Sequence, residues 1–212
     1  MRTAAELIAE SQALILDFDG PVTALMPPPA NLAAADRARV PLKDIALSED
    51  VRKTTDHLAV LRWTLETHPS RLLEVESACT AAEVECARNS AKSPEIDWLL
   101  DLAEQHELLV GIASNNSETS VRTFLDRFGW EFAALACRTP ESVRLMKPNP
   151  AFVLTATEWL GVSPSSAVFV GDSVSDVMAG RAAGTAFIGI AKTDQRRSQL
   201  VGAGADVMIE RR

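Results

Sequence analysis

Four short apolar runs, each ending in small or polar residues, constrain the fold of this chain more than any other feature. They are Ala13–Leu16, Leu108–Ala113, Ala167–Val170 and Ala186–Ile190, with a weaker candidate at Ala133–Ala136. Continuous apolar runs of this length are typical of parallel strands buried on both faces. Helical patterns lie between them, at Glu118–Phe128, Ala151–Leu160 and Ser175–Ala183. The alternation predicts an α/β fold with a doubly wound parallel sheet, in which ligands bind beyond the carboxyl ends of the strands.

Residues 24–93 interrupt this alternation because they contain no convincing strand. They begin with Pro27-Pro28-Pro29, which makes a stiff extended connector. Amphipathic patterns then predict one helix from about Ser48 to Thr67 and a second with a single apolar face, formed by Leu72, Val75, Cys79, Ala82 and Cys86. Ser93-Pro94-Glu95 predicts a further helix with Ser93 as its N-cap. We therefore predict a core of residues 1–23 and 94–212, and a small all-helical cap domain of residues 24–93 inserted after the first strand.

The composition excludes several functional classes. Lys and Arg number 21 against 29 Asp and Glu, so the net charge is −8, which argues against a nucleic-acid or anionic-membrane partner. No apolar run approaches the roughly 18 residues of a membrane span, and Glu6 and Glu10 interrupt any secretory signal. The three cysteines, Cys79, Cys86 and Cys137, are interpreted as small buried hydrophobes in a reducing compartment. We expect a cytoplasmic protein, monomeric or homodimeric.

Acidic residues follow two of the predicted strands. Asp17 and Asp19, at i and i+2 on an extended chain, point the same way beyond the first strand, and Gly20 allows a sharp exit. Asp172 follows the fourth strong run and faces Asp17 if the two strands are neighbours, with Asp176 one helical turn further. Such a group of carboxylates suits Mg²⁺. The alternatives are a solvated acidic turn at the first strand and an ordinary N-cap acid at the second.

Two further segments supply groups that suit an anion. Ser114 and Asn115 end the second strand just before a helix, where backbone N–H groups favour negative charge. Lys147 precedes Pro148, which fixes the chain, and beside several carboxylates it would neutralise phosphoryl oxygens. Taken alone, Ser114 would be an ordinary turn residue and Lys147 a solvated surface charge.

These four segments, in this order, resemble the motifs of the haloacid dehalogenase-like hydrolase superfamily. Asp17-Phe18-Asp19-Gly20 resembles the first motif, Ala113-Ser114-Asn115 the second, Lys147-Pro148 the third, and Gly171-Asp172 with Asp176 the fourth. The resemblance implies a Rossmann-like core and favours the phosphoglycolate-phosphatase and β-phosphoglucomutase-like branch, which has a helical cap. It covers roughly residues 11–23 and 94–190.

The resemblance also implies a role for each matching residue. Asp17 would attack phosphorus and form an aspartyl-phosphate, and Asp19 would act as general acid and then base. Lys147 and Ser114, with Asn115, would bind the phosphoryl group. Mg²⁺ would be held by Asp17, the main-chain carbonyl of Asp19 and Asp172, with Asp176 nearby or one shell out. Pro21, where relatives most often have Thr, is a departure that removes one backbone N–H from the loop.

The expected function is therefore a Mg²⁺-dependent phosphatase that acts on a small phosphorylated metabolite. A phosphosugar mutase, which uses the same residues, stays open as an alternative. A metal-independent dehalogenase is less favoured, because its reaction needs neither a second carboxylate such as Asp19 nor the aspartates that suit a metal, Asp172 and Asp176. A non-catalytic binding domain on the same fold is the remaining alternative.

Overall fold

The computed structural model describes residues 2–209. The strands, in chain order, are β1 (Ala13–Leu16), β2 (Leu109–Ser117), β3 (Ala134–Arg138), β4 (Ala167–Gly171), β5 (Ala186–Ile190) and β6 (Val207–Ile209). The helices are α1 (Ala4–Ala9), α2 (Ala30–Arg39), α3 (Glu49–Lys53), α4 (His57–Thr67), α5 (Leu72–Ala87), α6 (Ile96–Gln105), α7 (Glu118–Phe128), α8 (Ala151–Trp159), α9 (Val174–Ala183) and α10 (Asp194–Ala203). Short 3₁₀ turns lie at Val40–Leu42, Pro69–Arg71, Pro140–Leu145 and Pro164–Ser166.

The strands form one parallel sheet in the order β3-β2-β1-β4-β5-β6, which confirms the predicted α/β fold. Alternate residues of β1 enter different hydrophobic clusters, Leu14 and Leu16 on one face of the sheet and Ala13 and Ile15 on the other. Both faces are therefore buried, as the continuous apolar runs predict. The order places β1 between β2 and β4, so the residues that follow these three strands meet at one edge.

All five predicted strands are present. Two of them, Ala13–Leu16 and Ala186–Ile190, have the predicted bounds, whereas β2 begins one residue later than predicted and continues to Ser117. The extension is stabilised by polar side chains rather than by apolar burial, and a hydrophobic pattern does not detect it. The three-residue strand β6 and the helices α1 and α10 have no counterpart in the predictions.

The single helix predicted from Ser48 to Thr67 is wrong, because the chain forms two helices there. Thr54, after α3, has extended backbone angles (φ −62°, ψ 143°), and the Asp56 carboxylate accepts a hydrogen bond from Leu58 N and caps α4. Helix α2, rich in alanine and only weakly amphipathic, was not predicted. The predicted N-cap at Ser93 is also wrong: α6 begins at Ile96, and the Ser93 hydroxyl donates to the Pro21 carbonyl instead.

Residues 24–93, all of which the structure describes, contain α2 to α5 and no strand of the sheet. Helices α2, α4 and α5 pack against one another. The two segments that connect them to the sheet lie side by side: Ser93 N donates to Val22 O at 2.9 Å, and Thr23 Oγ1 donates to Ala91 O at 2.7 Å. The division into core and cap stays a prediction. Among the described residues, no helix has the length and hydropathy required to cross a bilayer.

Candidate active site

The ends of β1 and β4 bring Asp17 and Asp172 to one edge of the sheet. Asp17 directly follows β1, and its N–H donates to Val170 O of β4 at 2.9 Å. The loop then turns at Gly20, which has a positive φ of 113°, and a Cβ there would overlap the Asp172 carboxylate. Glycine is therefore required at this position, because it permits both the backbone angle and the close approach.

Asp176 lies in the first turn of α9, four residues after Asp172. Its Oδ2 accepts hydrogen bonds from Ser173 N (3.0 Å) and Ser173 Oγ (2.6 Å), so Ser173 is the N-cap and Asp176 completes a capping box. Its Oδ1 is buried and lies 2.7 Å from Lys147 Nζ, with which it forms an ion pair. Asp176 is therefore not itself the N-cap, and its place in the capping box accounts for only one of its two carboxylate oxygens.

Lys147 is buried, with only 1% of its surface exposed, and is not a solvated surface charge. Its Nζ lies 2.6 Å from Asp17 Oδ1 and donates to Ala113 O at 3.0 Å. Its backbone is held by Asn115: Lys147 N donates to Asn115 Oδ1 at 2.6 Å, and Asn115 Nδ2 donates to Lys147 O at 3.2 Å. The second and third sequence motifs are therefore joined through the Asn115 side chain.

Ser114 and Asp19 lie at the same edge but outside these ion pairs. Ser114 is two residues beyond Ile112, the β2 partner of Leu16, and its hydroxyl donates to Asn116 Oδ1 at 3.3 Å. The Asp19 carboxylate accepts a hydrogen bond from Leu25 N at 2.9 Å. The phosphate-binding role of Ser114 and the acid and base roles of Asp19 stay predictions.

The charges of this edge do not balance: it holds three carboxylates and one lysine, and the lysine pairs only with Asp17 and Asp176. Burial, together with the charge of Asp176, raises the pKa of Asp17 to about 7 despite the neighbouring Lys147. Burial and the charges of Asp176 and Asp17 raise the pKa of Asp172 to about 8. Burial would lower the pKa of Lys147, but the two aspartates beside it raise it. The site therefore favours a bound cation.

The same carboxylates have the chemistry of a site for a hard divalent cation. Asp17, Asp172 and Asp176 each offer one oxygen, and these oxygens lie within 4.8 Å of one another. Mg²⁺ prefers such oxygen ligands. The Asp19 carboxylate is not part of this group, and coordination by its main-chain carbonyl stays a prediction.

A second buried charge group, which the sequence analysis did not identify, lies between α5 and the sheet. We call it the Arg138 cluster; its members are Arg138, Glu76, Glu83 and His57. Arg138 Nη2 donates to Glu83 Oε1 at 2.6 Å, Nη1 pairs with Glu76, and His57 Nε2 lies 2.9 Å from Glu83 Oε1. Arg138 is 1% exposed and Glu83 fully buried.

Two sequence signals could have revealed the Arg138 cluster. Glu76 and Glu83 are spaced by seven residues beside the apolar stripe of α5, so they lie on one face of the helix. Arg138 is a charged residue directly after the apolar run of β3. The His57 side chain is buried, with its ring against the Glu83 carboxylate.

The chain is similar to known proteins in sequence and in fold. A family model described as haloacid dehalogenase-like hydrolase matches residues 50–190. The phosphoglycolate phosphatase of Xylella fastidiosa is 37% identical over 89 residues, 42% of this chain and 39% of that protein, so the match spans well under half of the relative. A phosphoglycolate phosphatase of Synechococcus elongatus is 28% identical over 94% of this chain and 92% of its own. The fold is similar to the crystal structure of CbbY from Rhodobacter sphaeroides in complex with phosphate (TM-score 0.72, 22% identity, 94% and 93% of the two chains covered).

Proposed function

Since the chain belongs to the haloacid dehalogenase-like hydrolases, we propose that it is a Mg²⁺-dependent phosphatase that hydrolyses a small phosphorylated metabolite. The observation that carries this proposal is the meeting of Asp17, Asp172 and Asp176 with the buried Lys147 at one edge of the sheet. Similarity to phosphoglycolate phosphatases supports an organic phosphate monoester as substrate. A cytoplasmic location and a monomeric or homodimeric state stay predictions from the sequence.

In the proposed reaction, an Asp17 carboxylate oxygen attacks the phosphorus atom of the monoester. The bond from phosphorus to the leaving oxygen breaks, and Asp19 donates a proton to that oxygen. Asp19 then removes a proton from a water molecule, which attacks the phosphorus and releases Asp17 and inorganic phosphate. Each carboxylate ends in the form in which it began.

The remaining residues bind the phosphoryl group and its charge. Lys147 Nζ, 2.6 Å from Asp17 Oδ1, is close enough to pair with a phosphoryl oxygen as Asp17 reacts. The Ser114 hydroxyl provides a further donor. When bound by Asp17, Asp172 and Asp176, Mg²⁺ supplies positive charge between the attacking carboxylate and the anionic substrate.

The first test is hydrolysis of p-nitrophenyl phosphate with Mg²⁺ and with excess chelator. We expect turnover only with the metal, and a loss of about a thousandfold or more in Asp17→Asn, because an amide cannot act as the nucleophile. Glu85→Gln, an exposed substitution on α5, is the matched control and should keep the wild-type rate. Turnover by Asp17→Asn at the wild-type rate would exclude the mechanism. A panel of phosphorylated metabolites, scored for free phosphate and for transfer to a second hydroxyl, then separates hydrolase from mutase.

A further inference from the structure

The second motif lies in an irregular part of the sheet. Along β2 and β3, Ser114 pairs with Cys137, but the next pair joins Ser117 to Arg138. Asn115 and Asn116 therefore form a bulge with no opposing residue on β3. A bulge removes backbone groups from the hydrogen bonds between strands, and buried backbone groups must then find other partners.

Two members of the Arg138 cluster provide those partners. Arg138 Nε donates to Asn115 O at 2.9 Å, and Glu83 Oε2 accepts a hydrogen bond from Ser117 N at 2.8 Å. The cluster therefore holds both ends of the bulge through side chains, one from β3 and one from α5. The same Asn115 holds Lys147 through the two hydrogen bonds described above.

We propose that Arg138 and Glu83 are positioning residues, which hold the bulge so that Asn115 places Lys147 against the phosphoryl group. The proposal rests on the proposed phosphatase function. It also gives α5 a part in catalysis: this helix of the predicted cap supplies Glu83, and Glu83 reaches the backbone of the core strand that carries Ser114. A shift of about 1 Å in a positioned group is enough to lower a rate about a hundredfold.

The two glutamates of the cluster differ in a way that separates positioning from simple stability. Both are buried and both pair with Arg138. Only Glu83 contacts the bulge; the other partner of Glu76 is Thr80 Oγ1, on its own helix. In Glu83→Gln, one amide cannot accept from both Arg138 and Ser117, because its nitrogen is a donor. In Glu76→Gln, the remaining oxygen can accept from both partners, which contact the same Oε1.

The experiment measures kcat and KM for p-nitrophenyl phosphate in Glu83→Gln, Glu76→Gln and Arg138→Lys, with Glu85→Gln as the exposed control on the same helix. Each variant is assayed well below its own melting temperature. We expect kcat to fall about tenfold to a hundredfold in Glu83→Gln and to stay within about threefold of wild type in Glu76→Gln. Arg138→Lys should resemble Glu83→Gln, because an ammonium group cannot reproduce the planar guanidinium that reaches Asn115 and both glutamates.

The proposal would be overturned if kcat in Glu83→Gln were no lower than kcat in Glu76→Gln. It would also be overturned if, across all the variants, the loss of kcat were proportional to the loss of stability. If Glu83→Gln does not fold, Arg138→Lys with unchanged kcat overturns it. The affinity for inorganic phosphate, measured by calorimetry, provides a readout independent of turnover. If the wild-type protein binds phosphate without hydrolysing the ester, the proposed function fails, and only a weaker affinity in Glu83→Gln would support positioning. A wild-type protein that does neither overturns both proposals.

Discussion

Two groups of charged side chains lie against the same sheet, and the pKa values of their carboxylates shift in opposite directions. The strand-end cluster, made of Asp17, Asp172, Asp176 and Lys147, has three acids for one base, and burial raises the pKa of Asp17 and Asp172. In the Arg138 cluster, burial would also raise the pKa of Glu83. The Arg138 guanidinium, with His57 and Ser117, outweighs burial and lowers that pKa to about 2.

The difference shows that burial alone does not identify a ligand site. Every carboxylate oxygen named in the Arg138 cluster has a donor. In the strand-end cluster, Asp17 and Asp176 share the single ammonium group of Lys147. A buried charge is stable when it is paired and hydrogen-bonded. The group whose named carboxylate oxygens all have donors acts as scaffold, and the group with three acids for one base suits a bound cation.

The largest expected effect comes from removing charge at each cluster in turn. Arg138→Met removes the cation that pairs with both buried glutamates, leaving Glu83 with only His57 and Ser117, and should lower the free energy of unfolding by about 3–5 kcal/mol. Asp172→Asn, measured in chelator, should not lower it, because the change removes repulsion among like charges. Urea denaturation of both variants and wild type at pH 7 tests this contrast. Equal destabilisation by the two substitutions would contradict the assignment of opposite roles.

The sequence was sufficient to predict the sheet and the aspartates at its strand ends because both depend on local patterns. Buried parallel strands give continuous apolar runs, and a functional group at a strand end follows such a run directly, as Asp17 and Asp172 do. Lys147 follows no strand of the sheet, and its burial depends on Asn115, which is 32 residues away. The sequence signal for that lysine was weaker, a lysine held by the following Pro148, and the resemblance to a family supported it.

The Arg138 cluster could not be predicted in the same way, since its contacts join distant segments. Arg138 is 62 residues from Glu76 and 55 residues from Glu83. Considered alone, each of these charged residues is typical of an exposed helix face or of a strand end. Only the packing of α5 against β2 and α7 brings them together. Similarly, α4 begins at a cap formed by the Asp56 side chain. The apolar spacing across Ser48–Thr67 continues through that position, so it predicted a single helix.

A smaller effect should appear when the medium is acidified. The pKa of Glu83 is lowered from 4.5 to about 2 in the folded protein. Its ionised form therefore contributes stability that is present above pH 4.5 and is lost as the pH falls toward 2, by about 3 kcal/mol in all. The difference in unfolding free energy between wild type and Glu83→Gln, followed from pH 7 to pH 3, should shrink. A difference that stays constant over this range would show that Arg138 does not hold Glu83 ionised.

The smallest effect in this series concerns the cation itself. Because the strand-end cluster holds three carboxylates and one lysine, Mg²⁺ should bind the folded protein and stabilise it, by about 2.7 kcal/mol at a hundred times its Kd. The melting temperature should therefore rise with Mg²⁺ concentration in wild type and in Glu85→Gln, and should not rise in Asp172→Asn. Glu83→Gln provides the sharper comparison: it lowers the melting temperature but should leave the Mg²⁺-dependent increase intact, since the Arg138 cluster contributes no ligand. If Glu83→Gln removed that increase and Asp172→Asn preserved it, the division between scaffold and ligand site would have to be reversed.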